Sequence, residues 1–501
     1  MTAKDKVIEN SFLYTFSTLL VKAVSFLLLP VYTRFLAPTD YGITNLAYGF
    51  LDVATYIVSF SIYSAIIRFH ADYKEDPEKL RRFYGTGVTF LSLSGAVFLA
   101  LGIIFRKLVV SWFFQGVAFY PVVLLVLLTL TFYSLHFLHQ SILQGIQQGR
   151  KLTKINLVVF VIQVGLNLLL IGFFRLGAAG VLLASFLLNL GYTAFMMYDL
   201  RRTGLITFCI DGAILRETLA YSIPLIPHNI STNIASFASR IFINNSGSLA
   251  SVGLYGVASQ FGMLIDTVQS SVNLAFAPWF YEMMNSEDEG SKKDVISLSQ
   301  FLLILYSLLY MLIGLFSQEM IILMTNSRYI MAWTAIPILV VAFSVKSIYY
   351  FYINVLMYYK DAARKIFIAT ILGSFADIMI AFVLVPYYGM YGAAVSFLTA
   401  KVIVVAIVVL MSRKYKDIGY RVRDMLKTLV PSLMFMGAGL YFSYTRYLTV
   451  FSWLNLMYKF AVLSAYIIFI YLTNREIINR MLKSERFQQI LKKRGASKWK
   501  N

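Results

Sequence analysis

The chain has a single cysteine, Cys209, in 501 residues, which excludes a disulfide framework, an iron–sulfur cluster and a thiolate zinc site. Histidine is scarce as well, four in all, and two of these, His136 and His139, stand in one apolar segment. That setting speaks against a metal enzyme, and neither a metal nor a cofactor is expected. The nucleotide-binding string G-x-x-x-x-G-K-[ST] is missing, so ATP is not hydrolysed through such a loop in this chain. Nor is there room for a large soluble domain, because most of the length is apolar.

The apolar set makes up 59% of the chain. With the 29 glycines it reaches about 65%, against roughly 45–50% for a soluble domain counted the same way. A membrane helix needs about 20 such residues, so fourteen spans would use roughly 280 residues and leave about 220 for ends and connections. Hydropathy divides the chain into fourteen segments of that length. They run from Ser11–Tyr32 and Gly42–Ile67 through Leu219–Ile241 and Leu254–Tyr281 to Ile366–Val385, Gly389–Met411, Met425–Tyr444 and Phe451–Leu472. The first is not expected to be a cleaved signal peptide, since Thr15, Thr18 and Lys22 interrupt it.

The net charge of +20 would suggest nucleic acid in a soluble protein; in a membrane protein it reflects basic loops facing anionic lipid, and no nucleic-acid partner is expected. With the amino terminus inside, 32 of the 44 lysines and arginines fall on the inner side and 6 outside. This asymmetry predicts both termini in the cytoplasm and an even number of spans in the cell membrane.

Landmarks recur at a fixed offset. Tyr41-Gly42 and Asp52 return as Tyr255-Gly256 and Asp266, and Arg150-Lys151 returns as Arg364-Lys365, all 214 residues on. Gly177-x-x-Gly180 returns as Gly389-x-x-Gly392 after 212. The offset crosses six spans, an even number, which predicts a parallel repeat about an axis along the membrane normal. The expected fold is therefore an all-α integral membrane protein of fourteen transmembrane helices. It comprises a six-helix lobe over residues 1–200, a cytoplasmic linker over 201–218, a second six-helix lobe over 219–412, two extra C-terminal helices within 413–474, and a basic cytoplasmic tail over 475–501.

Span 1 carries Ser11, Thr15, Thr18, Lys22 and Ser25 on one helical face; the matching positions of span 7 are Leu225, Asn229, Thr232, Ser236 and Ser239. Any one hydroxyl is more often helix glue than a site, but two matching stripes suit the walls of a wet cavity. Lys22 stands apart, because a mid-span ammonium costs about 2.5–3.5 kcal/mol on insertion scales. The candidate cavity residues are thus Lys22, Thr15, Thr18, Asn229, Thr232 and Ser236, with Arg240 and Arg68 adding positive charge at the ends of the path. Asp52 and Asp266 are candidates for gating or ion coupling, since a carboxylate in a span must be paired, protonated or hydrated. Lys346, Asp377, Lys401 and Lys459 also fall in spans, and their facing is open. Pro224 and Pro227 should bend span 7.

Three strings carry a family resemblance: Lys22-x7-Pro30-x3-Arg34-x5-Asp40-Tyr41-Gly42, Ser222-Ile223-Pro224-Leu225-Ile226-Pro227-His228, and Tyr388-Gly389-Met390-Tyr391-Gly392-Ala393-Ala394. The chain resembles the polysaccharide-transporter branch of the multidrug/oligosaccharidyl-lipid/polysaccharide exporter superfamily, the flippases of O-antigen and exopolysaccharide repeat units. The resemblance implies a flippase that carries a polyprenyl-(pyro)phosphate-linked oligosaccharide from the cytoplasmic to the outer leaflet by alternating access, through a cationic cavity between two lobes. It makes Lys22 the position to meet the phosphate, and it implies membrane lipids and a polysaccharide polymerase machinery as partners. Two departures are informative. The acidic residue of cation-coupled drug exporters is missing from span 1, and so is the arginine-rich opening of the lipid II flippases. The alternatives are a cation-coupled drug or metabolite exporter of the same superfamily, or a membrane enzyme of lipid-linked glycan polymerisation. Outer connections of about a dozen residues leave little room for an enzyme's active-site loop, and no catalytic residue is assigned.

Overall fold

Prolines and aspartates fix where the helices begin. Pro38 and Pro77 occupy first-turn positions of the helices Pro38–Val58 and Pro77–Ile104, where the missing N–H has no intrahelical role. The Asp76 carboxylate accepts from the Lys79 amide at 3.0 Å, and Asp211 caps the Gly212–Ser222 helix by accepting from Ala213 and Ile214. The computed structural model describes residues 26–231, 233–286, 289–415 and 418–483. Among the described residues every regular element is helical. Among these described residues, nine helices are long and apolar enough to cross a membrane, or ten if the bent pair Pro38–Val58 and Ile62–Tyr73 forms one span. The protein is thus an all-helical, multi-pass membrane protein.

Several spans are interrupted where local chemistry demands it. The segment Gly42–Ile67 bends by 47° between Val58 and Ile62, where Phe60 and Ser61 adopt φ of 48° and 53°. The segment containing Pro224 and Pro227 is resolved into the helices Gly212–Ser222, Ile226–Ser231 and Ile234–Ser246, with a 3-10 turn at Ile223–Leu225. Helix assignment runs from Ile366 to Ser412 except at Gly389, whose φ is 53°. At about 1.5 Å per residue the 47 residues would reach roughly 70 Å, more than twice a hydrocarbon core, so this break must divide it. Gly177 takes φ of 57° at the start of Gly177–Arg202. In both Gly-x-x-Gly steps the second glycine lies against a carbonyl of the preceding limb: a Cβ would come within 3.1 Å of Leu170 O at Gly180 and 2.6 Å of Leu384 O at Gly392.

Two compact units divide the chain: Met1–Val257 with Ser374–Ser396, and Ala258–Gly373 with Phe397–Asn501. In the first, Asp40 ties two helix starts together, its carboxylate accepting from the Ala37 amide at 3.4 Å and the Ala178 amide at 3.2 Å. One apolar cluster gathers Ile62, Ile66, Phe69, Phe83, Tyr84, Leu138, Ile142 and Met196; another gathers Leu46, Leu51, Val58, Phe114, Val126, Leu182 and Phe237.

Backbones meet where Pro38–Val58 crosses the start of Leu249–Asn285. A Cβ at Gly42 would lie 1.8 Å from Leu249 O, and one at Gly253 would lie 2.0 Å from Pro38 O. Backbone oxygens cannot swing aside as a side chain can. Gly42→Ala is therefore expected to destabilise the protein by about 1–3 kcal/mol, the cost of overpacking. Gly191→Ala, with nothing within 4 Å, should leave the thermal midpoint of the detergent-solubilised protein unchanged. Equal midpoints for the two variants would count against the close approach.

The second unit packs Trp333, Tyr310, Tyr329, Tyr466 and Phe280 at its centre, all fully buried. Its last long helices are fastened by directed bonds. Tyr444 donates to Thr334 O at 2.9 Å, Trp333 Nε1 donates to Leu448 O at 2.9 Å, and Tyr466 donates to Ser307 Oγ at 2.6 Å. Deeper still, Lys459 Nζ donates to both carboxylate oxygens of Glu319 at 2.8 Å.

Candidate functional site

Each unit holds one acidic residue of the repeated landmarks, and each acid is set among tyrosines and cations. In the first unit, Tyr48, Asp52 and Tyr56 recur every four residues along Pro38–Val58, which places them on one face. Asp52 is exposed. It interacts electrostatically with Tyr48, Tyr56 and Tyr133, and with Arg240 from Ile234–Ser246. Arg240 is held against the same helix, Nη1 donating to Asn45 O at 2.9 Å. Gly49 makes this approach possible: a Cβ there would come within 2.8 Å of Arg240 Nη1.

At the bend of the same span, Asn229 Nδ2 donates to Ser61 Oγ at 3.2 Å and to Ser64 Oγ at 3.4 Å. Ser236 is exposed on Ile234–Ser246. Arg68 pairs with Asp72 one turn away on the exposed part of Ile62–Tyr73, an arrangement worth little energetically. The structure therefore brings Arg240 and Asp52 together, sets Asn229 at the helix break, and gives Arg68 a local partner. Lys22, Thr15, Thr18 and Thr232 lie outside the described residues.

In the second unit, Asp266 on Leu249–Asn285 faces Ile336–Tyr358. Lys346 forms an ion pair with Asp266 Oδ1, and the Tyr350 hydroxyl donates to the same oxygen at 3.1 Å. Lys401 lies 4.5 Å from the Phe397 ring centroid, a cation–π contact, and interacts electrostatically with Asp266. One turn beyond Tyr350, Asn354 donates to Asn273 Oδ1 at 2.8 Å. The side chains of Asp266 and Lys346 keep 32% and 21% of their surface accessible, unlike the Lys459–Glu319 pair, whose lysine has none. The first pair is partly accessible and the second is sealed.

Two lysines against one carboxylate leave this cluster with a net positive charge, and it lies on span-length helices. The four-residue spacing of Lys346 and Tyr350 puts them on one helical face, as Tyr48, Asp52 and Tyr56 are. In the sequence Lys346 and Lys401 stand out as charges in spans but carry no facing, and the tyrosines do not stand out. The spacing was the available signal, but such spacing occurs on lipid-facing surfaces as well. Among the described residues, no group of three or more His, Cys, Asp or Glu side chains could hold a metal.

Polar and charged clusters thus lie on long helices of an all-helical multi-pass membrane protein. The chain belongs to the polysaccharide biosynthesis protein family, whose model matches residues 7–284. A curated relative, “Lsg locus putative protein 1” of Haemophilus influenzae, is 24% identical over 79% of this chain and 99% of its own length. Among solved structures, the lipid II flippase MurJ in an inward closed conformation matches with a TM-score of 0.65 at 17% identity, over 94% of this chain and 100% of that one. An inward-facing multidrug resistance MATE family transporter of the MOP superfamily matches with a TM-score of 0.54 at 16% identity, over 81% and 94%. The fold is thus that of the MOP transporters, and the family is the one that the three strings resemble.

Proposed function

We propose that this protein is a flippase that moves a polyprenyl-(pyro)phosphate-linked oligosaccharide repeat unit from the cytoplasmic to the outer leaflet by alternating access, for cell-surface polysaccharide synthesis. In this reading the chain has fourteen spans arranged as a parallel repeat plus two C-terminal helices, both termini are cytoplasmic, and a polymerase machinery receives the product. The observation that carries the reading is the partly accessible cation–carboxylate–tyrosine cluster in which Lys346 and Tyr350, on a candidate span, meet Asp266 of the Leu249–Asn285 helix, in a chain of the polysaccharide biosynthesis family.

The chemistry follows from what the substrate cannot do. An isolated phosphate in hydrocarbon would cost tens of kcal/mol by Born solvation, so its path must supply cations and water. The cations in turn must not stand unpaired when no substrate is present. Asp266 meets that need by neutralising Lys346 in the empty state; an arriving phosphate takes over the ammonium by partner exchange. Tyrosines offer apolar faces to sugar rings and hydroxyls to their oxygens. The substrate-binding residues in this reading are Lys22, Thr15, Thr18, Asn229, Thr232, Ser236, Arg240 and Arg68, while Asp52 and Asp266 serve gating or ion coupling.

The test is the leaflet distribution of the lipid-linked oligosaccharide in cells depleted of the protein. Accumulation in the inner leaflet is the expected result. Normal outer-leaflet exposure with failed polymerisation would reassign the protein to glycan polymerisation, and unchanged glycan with altered drug tolerance would make it a drug exporter. Lys22→Gln should abolish surface glycan in a protein that is still inserted, while Lys22→Arg should retain part of it, since either cation can bind phosphate and neutral Gln cannot.

A further inference from the structure

The first unit holds another buried polar network, built by Phe119–Gly145, Gly149–Phe173 and Gly177–Arg202 and meeting the Asp52 neighbourhood at Tyr133, whose ring lies 6.1 Å from that of His136. His136 and His139 lie one turn apart on the first of these helices, both buried. Their partners differ in a way that fixes what each can do.

His136 Nδ1 bonds Asn189 Oδ1 at 2.9 Å, and its Nε2 faces Gln140 Nε2 at 2.9 Å. The amide orientations are set by further bonds: Asn189 Nδ2 donates to Ser185 O at 2.8 Å, and Gln140 Nε2 donates to Asn156 Oδ1 at 3.2 Å. One partner of His136 therefore accepts and the other donates. Only a neutral imidazole carrying its proton on Nδ1 satisfies both, and a second proton would meet the Gln140 N–H group head-on.

His139 has no such constraint. Its Nε2 lies 3.2 Å from Asp199 Oδ2 and its Nδ1 lies 2.9 Å from the Tyr192 hydroxyl. The carboxylate accepts in either protonation state of the ring. The hydroxyl donates to a neutral Nδ1 and, after rotating its hydrogen, accepts from a protonated one. Thus His139 can take up a proton without losing a hydrogen bond.

Asp199, however, already has a cation. Lys151 Nζ lies 2.7 and 2.6 Å from its two oxygens. The charged and titratable groups facing His139 are Asp199 and Tyr192 on Gly177–Arg202, Lys151 on Gly149–Phe173, and His136 on its own helix. From the other side, Ile62–Tyr73 and Pro77–Ile104 bring His70 and Tyr84, bonded to each other at 2.8 Å, with His70 against Gly145. An imidazolium at His139 would place a second positive charge on one carboxylate, beside Lys151. The side chain of His139 is fully buried whereas Lys151 keeps 31% of its surface accessible, so the lysine is the partner able to leave into water.

We propose that His139 is a proton-binding site whose occupancy competes with Lys151 for Asp199, so that proton uptake is linked to release of the Lys151 end of the Gly149–Phe173 helix. By linkage the effect is reciprocal: a movement that withdraws Lys151 strengthens proton binding at His139. The ligand is a proton entering from the Lys151 side. The site shares no hydrogen bond with Asp52 and does not depend on what the protein carries.

The test uses the full chain, 15N-labelled at its four histidines, in lipid nanodiscs. The His139 signal is identified by its loss in His139→Gln, and a spin label is placed at Lys154→Cys in a Cys209→Ser background. On acidification His139 should become protonated and the label more mobile, with one midpoint for both. In Lys151→Gln the His139 midpoint should rise by roughly one pH unit or more, as expected on losing a nearby like charge, and the label should be mobile throughout. This variant changes a partly accessible side chain, so it tests the site even if His139→Gln fails to fold. A His139 signal that stays neutral down to about pH 5 in both wild type and Lys151→Gln would overturn the proposal. So would a midpoint unmoved by Lys151→Gln, or a label transition that follows His136 or His70 instead.

Discussion

Glu319→Ala should lower the stability of the solubilised protein by about 3–5 kcal/mol, because it leaves the Lys459 ammonium buried without a counter-charge. The lysine has no accessible surface and the glutamate side chain only 10%, so water cannot replace the lost partner. Asn455, one helical turn before Lys459, is itself occupied with Ser443 Oγ at 2.9 Å. Lys459→Ala should be similarly damaging. The double variant Lys459→Met with Glu319→Leu should recover most of the loss, since neither buried charge then remains. Thermal midpoints and a double-mutant cycle measure this. A single variant costing less than about 1 kcal/mol, the range of exposed pairs, would show that the site is wet.

Lys346→Met is expected to weaken binding of the lipid-linked glycan by about 1.5–3 kcal/mol, roughly ten- to a hundredfold, the worth of a hydrogen bond to a charged group. Asp266→Asn should behave differently. It removes the group that holds Lys346 between substrates, so glycan binding should persist while turnover slows. Binding is read with purified protein and a short-chain polyprenyl-phosphate glycan, and turnover by surface glycan in cells. Loss of binding in Asp266→Asn equal to that in Lys346→Met would mean that the pair is only a structural tie and not an exchangeable one.

The residues differ in how much they disclose in sequence. Pro224 and Pro227 mark an interruption of their span because a missing N–H and a fixed φ act within the helix itself. Gly177 and Gly389 mark breaks for an equally local reason, a positive φ that other residues adopt at a cost. Asp52 and Asp266 stand out as carboxylates in apolar runs, yet their partners are unlike. Asp52 shares a neighbourhood with Arg240, whereas Asp266 is paired with Lys346. No offset of 214 residues leads from one partner to the other, since Arg240 and Lys346 are 106 positions apart. His136 and His139 read as equals in sequence, and only their neighbours separate the locked imidazole from the one that can accept a proton.

The linear sequence alone determined that this protein lies in a membrane, that its segments are helical, and that the span with Pro224 and Pro227 is bent, but not the bend at Phe60 and Ser61. Those properties depend on solvent transfer and on backbone geometry within a few neighbouring residues. Which charge meets which was decided by tertiary structure. Lys459 reaches Glu319 across 140 residues and Lys346 reaches Asp266 across 80, at contacts set by the depth and rotation of packed helices. An ion pair depends on ångström distances between side chains on different helices, and a linear pattern of apolar and polar residues does not encode those distances.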